Sequence, residues 1–466
     1  MNVVKSKRTV RIFTLAMINV AAICSIKNWP LTAEYGFSSL FFFLVSALLF
    51  FIPVSLVSAE LATGWPERGG VFVWVKEALG HKMGFLAVWL QWVENVIWYP
   101  TILSFIAAAI AYSFKPELAN HPIYMVAVIF VAFWGATYLN LRGMKMSGLI
   151  SSVGVICGTI IPGTAIIILG LIWWLSGNPI QIEMSLSTLV PDLSSPYQLS
   201  LLAGVLLGFA GMEMSAVHAR DVVNPQKNYP RAILLSAIVI LVLSVLGTLA
   251  IAFVTPQNEI SLVSGGMEAL AYFLRAYHLD WAVPVLAILI ALGALGGMST
   301  WTAGPSKGLL AAAQSGEFPP ILHRVNKNDM PVAMMVMQGI IVSFLSLIFL
   351  FMPDVNSSFW MLLVLTSQLY LLMYVLMFIS AIVLRYKKPK VKRPYAIPGG
   401  KFGMWCVGGL GALASVSAMV IGFYPPEQLN TGDTLFYGLF LAVGIVVVSI
   451  MPFIILMFKK PSWEVP

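Results

Sequence analysis

The chain is 466 residues long, 59% hydrophobic and only 10% charged. Ordinary soluble domains carry roughly a quarter charged residues, so a conventional soluble fold is excluded. Lysine and arginine outnumber aspartate and glutamate by 27 to 19, a formal charge of +8, yet they gather on no soluble face, which argues against a nucleic-acid partner.

Lys5, Lys7, Arg8 and Arg11 precede the first apolar run, as they would at the front of a signal peptide. That run continues to about Pro30 without a small-x-small cleavage site, and many spans follow, so a retained helix is expected. Apolar runs near twenty residues match the hydrocarbon thickness of a bilayer, where a helix satisfies its own backbone. Twelve such helices are read over 12–33, 37–61, 83–113, 122–141, 147–176, 198–219, 231–254, 281–306, 332–352, 359–384, 404–423 and 434–458. The expected fold is all-α and polytopic. One transmembrane domain, 12–458, lies between an N-terminal segment, 1–11, and a short tail, 459–466. The cysteines Cys24, Cys157 and Cys406 each fall inside an apolar run, so neither a disulfide framework nor a zinc-ligand spacing is expected.

With the N-terminus inside, all but three of the 27 basic residues lie on cytoplasmic flanks. Lys115 and Arg275 fall outside and Lys27 lies within helix one. Cytoplasmic loops accumulate lysine and arginine in this way, which places both termini in the cytoplasm of a cell whose inner membrane holds the chain. The basic stretch 385–393 has the charge to touch acidic lipid as well.

Two helices are interrupted at matching depth. In helix six, Gly208 to Glu213 begins about ten residues in, roughly 15 to 22 Å deep at 1.5 Å per residue. In helix one, Cys24 to Pro30 lies roughly 18 to 27 Å from the start by the same rise. Helices one and six hold equivalent places in two five-helix halves, 12–176 and 198–384, which cross in opposite senses because five is odd. Two further helices, 404–458, complete the chain. One glycine pair alone would be read as close helix packing, but interruptions in corresponding helices of an inverted repeat point to a transporter binding site.

Further motifs follow in order: Asn28-Trp29-Pro30 with Tyr35-Gly36-Phe37; Ile52-Pro53-Val54 through Ala59-Glu60-Leu61; Glu67-Arg68-Gly69-Gly70-Val71-Phe72-Val73-Trp74-Val75; Gly211-Met212-Glu213 with Asn224-Pro225 and Tyr229-Pro230; Gly304-Pro305-Ser306-Lys307-Gly308; Val325-Asn326-Lys327-Asn328 before Pro331; and Ile397-Pro398-Gly399-Gly400. Together, over nearly the whole chain, they resemble the amino acid/polyamine/organocation superfamily, most closely its glutamate:gamma-aminobutyrate antiporter branch. The resemblance implies a LeuT-type fold, with helices one and six broken around an amino-acid site and alternating access to it. It assigns substrate binding to Ile23, Cys24 and Ser25 of helix one and to Gly208, Phe209, Ala210 and Gly211 of helix six. Helix N-terminal amides attract a carboxylate and C-terminal carbonyls an amino group, so one zwitterion can use both.

The chain departs from the family pattern in three places. Ala22-Ile23-Cys24-Ser25 lacks the glycine common in the helix-one break, so contacts there follow from position alone. The aromatic gate of arginine-exchanging relatives aligns with Leu207, with Phe209 the alternative gate. The chain stops at Pro466, without the long plug of some antiporters, so pH gating by a plug is not expected.

Ionisable residues at membrane depth tend to be functional, which singles out Lys27, Glu94 and Glu213. Glu213 matches the family's Gly-x-Glu glutamate, for which the resemblance implies proton sensing or a tie between helix six and its neighbours. Its other reading is a permanently protonated acid hydrogen-bonded to backbone. Lys27 and Glu94 are expected to form a buried pair, since an unpaired ammonium is costly; the alternative is that Lys27 attracts a substrate's side-chain carboxylate. Trp98, Met298 and Trp301 are candidates for a gate or cavity wall, while Trp89, Trp92 and Tyr99 fit packing or interface roles. Ser299, Thr300, Ser367 and Gln368 offer hydrogen bonds to a substrate, although such groups in membrane helices more often bond to their own backbone or a neighbour. His218 reads as interfacial.

The sequence therefore points to a secondary active transporter that exchanges an amino acid such as glutamate for a product such as gamma-aminobutyrate. The rivals are arginine/agmatine exchange, proton-coupled amino-acid uptake and, further off, a channel or receptor. The expected partners are a small amino acid or amine, membrane lipid and, through Glu213, protons. No cofactor, metal or enzymatic constellation is read, and no oligomeric state is set. If Lys27 faces the cavity it disfavours a cationic substrate by like-charge repulsion.

Overall fold

The structure is a computed structural model that describes residues 11–66, 69–142, 154, 156–191, 193–196, 199–214, 222–328, 330–427 and 429–463. Among these, ten helices are long and apolar enough to cross a membrane: Gly36–Gly64, His81–Tyr112, Pro122–Leu141, Ile156–Leu175, Lys227–Val254, Ala282–Glu317, Val332–Phe351, Val355–Lys387, Gly400–Ile421 and Thr434–Met457. They are helices two to five and seven to twelve of the expected order. Helix one is broken into Ile12–Ile23 and Trp29–Ala33, joined by a 3-10 turn at Ile26–Asn28. Helix six is described over Leu202–Met214, with its α-helical part ending at Leu207. The all-α polytopic expectation holds, with the two interruptions in the two helices named for them.

Differences lie at the ends. Helix eight continues about one further stretch past 306, through a π turn at Ala313–Glu317. Pro305 lies inside it, and the neighbouring Thr302 and Ser306 hydroxyls bond back to the carbonyls of Met298 and Thr302, each at 2.9 Å. Residues 147–153 of the expected helix five and 215–219 of helix six, with His218, lie outside the described residues.

Burial orders the bundle. The most apolar stretches of helices three and ten are 83% buried, whereas that of helix twelve is 11% buried, so three and ten form the centre and twelve stands at the edge. Helix twelve exposes Leu435, Leu439, Val443, Val446 and Ile450, a spacing that presents one apolar face outward. In water such a face would be a liability; against lipid tails it costs nothing.

Close packing positions the broken helices. A Cβ on Gly158 of helix five would stand 2.1 Å from the Leu289 carbonyl oxygen of helix eight, and one on Gly293 would stand 2.4 Å from the Gly158 Cα. The two backbones therefore touch, as small residues allow in membrane interfaces. The outer half of helix one is seated by Trp29, whose ring would meet a Cβ on Gly247 of helix seven at 2.4 Å and on Gly163 of helix five at 2.9 Å. The inner half is tied to helix seven by Asn19, which donates to the Ser236 hydroxyl at 3.3 Å.

At the far end of helix two, the buried Glu60 carboxylate accepts from Arg385 Nη2 of helix ten at 2.6 Å and from the Ile397 backbone N–H at 2.8 Å. Arg393 Nε lies 3.2 Å from its other oxygen. This one acid thereby fastens helix two to helix ten and to the loop before helix eleven. Nearby, Lys387 donates to the Ala78 carbonyl at 2.9 Å and Lys388 pairs with Glu77, holding the short helix Val71–Leu79 against the end of helix ten.

Candidate functional site

The break in helix one is two extended residues, Cys24 (φ −70, ψ 117) and Ser25 (φ −143, ψ 131). The Cys24 N–H still bonds to the Val20 carbonyl at 2.8 Å, and the Asn28 N–H bonds to Ser25 at 3.1 Å. Between them, the N–H groups of Ser25, Ile26 and Lys27 have no backbone hydrogen bond among the described residues. Such groups persist at membrane depth only where they line a cavity or are covered by protein.

Helix six breaks differently. The Gly208, Phe209 and Ala210 N–H groups are still bonded to carbonyls one turn back, and then Gly211 adopts φ +118, a value that side-chain-bearing residues avoid. Its N–H leaves the helix and donates to the Tyr374 hydroxyl of helix ten at 2.8 Å. The Trp301 ring lies 3.2 Å from where a Gly211 Cβ would be, so a side chain there would meet both strain and an indole.

The two breaks face one cavity of about 760 Å3, counting its open mouth. Of the residues expected to contact a substrate, Ile23, Cys24, Ser25, Gly208 and Ala210 line it. Gly211 lies just behind, under Trp301. Phe209 turns away, stacked on Phe51 with ring centroids 4.9 Å apart and edge-on to Phe43 at 5.7 Å. Between the two gate positions, Leu207 is therefore on the cavity and Phe209 is in the core. Trp98, Met298 and Trp301 all line the wall, and the two indoles lie 6.1 Å apart.

Lys27 and Glu94 both line this cavity, but the expected ion pair is absent from the described contacts. The Lys27 ammonium instead stands over the rings of Trp98 and Phe359, each centroid at 5.2 Å, and Glu94 accepts from Asn95 Nδ2 at 3.3 Å. Sequence spacing gives the depth of each group along its own helix; the aromatic faces of helices three and ten decide where the lysine stem lies.

Glu213 is buried behind the wall. Tyr370 donates to one carboxylate oxygen and Gln91 Nε2 to the same oxygen at 3.3 Å, while Tyr374 donates to the other at 2.6 Å. Its side-chain partners come from helices three and ten, and its own backbone N–H adds a further contact. Of the polar side chains expected to have intrahelical or neighbour partners, Ser367 donates to Leu363, Gln368 donates to the Met419 carbonyl and Ser299 accepts from Asn140, while the Thr300 side chain lies outside the described residues.

Sequence inspection missed Asn28, Asn95, Ile102, Thr159, Gly293, Ala294, Gly297 and Tyr370 on the wall. Two signals were available. Gly293-x-x-x-Gly297 is a close-approach spacing, and Tyr370 and Tyr374 are a helical pair at i, i+4; neither reveals which helix stands opposite.

A sequence model of the amino acid permease family matches residues 10–448, and the chain belongs to that family of multi-pass membrane transporters. An uncharacterized transporter of Legionella pneumophila is 44% identical over 96% of this chain and 97% of that protein. A glutamate/gamma-aminobutyrate antiporter of Lactococcus lactis is 34% identical over 97% of this chain and 90% of its own length. A probable agmatine/putrescine antiporter of the same species is 25% identical over 79% and 78%. The superfamily and branch read from the motifs are thus borne out, and the partner class is a small amino acid or amine.

Proposed function

We propose that this protein is a secondary active antiporter of the inner membrane, with both termini cytoplasmic. It exchanges an amino acid such as glutamate for a related product such as gamma-aminobutyrate by alternating access. The observation that carries this reading is the open cavity that lies where helices one and six are both interrupted, with Ser25 and Lys27, whose amides have no backbone hydrogen bond among the described residues, on its wall. Free amides at a helix start are suited to a carboxylate, and interruptions in both helix one and helix six suit occlusion of one solute rather than a continuous pore. The relative of 34% identity supports the substrate pair. The relative named for agmatine and putrescine exchange is a weaker guide, because a lysine on the cavity wall opposes a dication.

In this mechanism Glu213 links the helix-six break to helices three and ten. Displacement of Gly211 would disturb the Tyr374 hydroxyl that bonds to both Gly211 and Glu213, so substrate contact and carboxyl environment change together. A proton exchanged at Glu213 would then bias the break. Liposomes containing the purified protein and preloaded with gamma-aminobutyrate should take up labelled glutamate, saturably and faster than empty liposomes. Uptake indifferent to the internal amino acid would refute exchange, and linear, non-saturating flux would indicate a pore.

A further inference from the structure

Lys27 is a charged cavity group to which the exchange reading gives no substrate contact. Its side chain is 2% exposed. Among the described residues it makes no hydrogen bond and no ion pair, its only recorded partners being the two ring faces of Trp98 and Phe359. Aromatic faces restrain an ammonium in direction and keep water from it, but they supply no anion. Glu94, the other formally charged residue among those lining the cavity, is turned to Asn95 instead. A buried ammonium without a counter-charge is expensive, and a solute carboxylate arriving in the cavity would offset that cost.

The same short segment offers two anion acceptors of different reach. One is the set of amides at Ser25, Ile26 and Lys27, which have no backbone hydrogen bond among the described residues. The other is the Lys27 ammonium, carried by a four-carbon stem roughly 6 Å from its own backbone. The two carboxylates of an acidic amino acid are separated on a comparable scale. Loss of the α-carboxylate from glutamate leaves gamma-aminobutyrate, whose only carboxylate is the former distal one. A receptor for the distal group is therefore common to both exchange partners, whereas the amides would serve only the partner that retains its α-carboxylate.

We propose that Lys27 is the specificity-determining residue of this site: held between Trp98 and Phe359, its ammonium receives the distal carboxylate shared by an acidic amino acid and its decarboxylation product. This rests on the exchange reading above and adds to it the group recognised. Solutes with an uncharged amide in the distal position lose that contact, and solutes with a distal cation are repelled.

The test uses the full chain in detergent and in liposomes, with glutamate, glutamine and gamma-aminobutyrate as probes. One charged hydrogen bond to a buried partner corresponds to on the order of tenfold to a hundredfold in affinity. The wild-type protein should therefore bind glutamate at least about tenfold more tightly than glutamine, which differs from it only in the distal group. Lys27→Met should remove that preference, weakening both carboxylate probes while glutamine stays within about twofold, and Lys27→Arg should retain part of it. Loss of glutamate and glutamine together with gamma-aminobutyrate spared would place Lys27 at the α-carboxylate and overturn the proposal. So would an unchanged preference in Lys27→Met, or a wild-type protein that does not distinguish glutamate from glutamine, a result that needs no variant to fold. Lys27-dependent binding without any exchange in liposomes would sustain the carboxylate receptor and remove the exchange reading instead.

Discussion

Glu60 is the sharpest place to test how the helices are fastened. Its side chain is 2% exposed and faces two guanidinium groups, Arg385 and Arg393, whose side chains are 13% and 7% exposed. Solvent screening is slight at these exposures, so the pair energies are those of a buried network. In Glu60→Gln the shape is kept and the charge is lost. If the effect were only a weakened hydrogen bond, the loss would be about 1 kcal/mol. Because two buried guanidinium groups are left without a counter-charge, the expected loss is about 3 to 5 kcal/mol. Unfolding of the purified protein in mixed micelles, titrated with a denaturing detergent, measures it. A double-mutant cycle with Arg385→Gln isolates the pair, with an expected coupling in the upper part of the range of about 0.5 to 3 kcal/mol. A coupling near zero, with Glu60→Gln costing no more than a neutral hydrogen bond, would refute the reasoning and reduce Glu60 to a loop acceptor for the Ile397 amide.

Four further outcomes are expected. Lys27→Met should stabilise the ligand-free protein by about 1 to 3 kcal/mol, since the desolvation cost of an unpaired ion exceeds the two ring contacts it loses; a lower thermal midpoint than wild type would contradict this. Tyr374→Phe removes the acceptor of the Gly211 N–H and one donor to Glu213, so exchange should slow with a stability loss of about 1 to 3 kcal/mol. Glu213→Gln should change the pH profile of exchange as well as its rate, and an unaltered profile would remove the proton role. Gly158→Val places a branched side chain 2.1 Å from a carbonyl oxygen of helix eight, and overpacking there should cost at least about 1 to 3 kcal/mol; wild-type stability and exchange in that variant would show that the two backbones do not touch.

The spans were legible without coordinates because their signal is one-dimensional: a run of apolar residues near the thickness of the hydrocarbon layer must form a helix that satisfies its own backbone. The interruptions were legible for a related reason. Gly208 and Gly211 weaken helix propensity locally, and Cys24 to Pro30 brings polar side chains and a proline to mid-depth in helix one. Helix eight runs past its expected end with Pro305 inside it, an extension that the proline in the sequence did not signal.

What local pattern could not decide was direction around each helix. Phe209 and Leu207 are two residues apart, yet one packs against Phe43 and Phe51 and the other faces the cavity. Lys27 and Glu94 share a depth and a cavity but not a bond, because Trp98 and Phe359, 261 positions apart in the chain, meet on either side of the ammonium. Tyr370, Tyr374 and Gln91 converge on Glu213 from two other helices. Depth and length are written in composition and order along one strand of residues; azimuth and partnership arise only when twelve such segments pack, and the chemistry of the cavity depends on those.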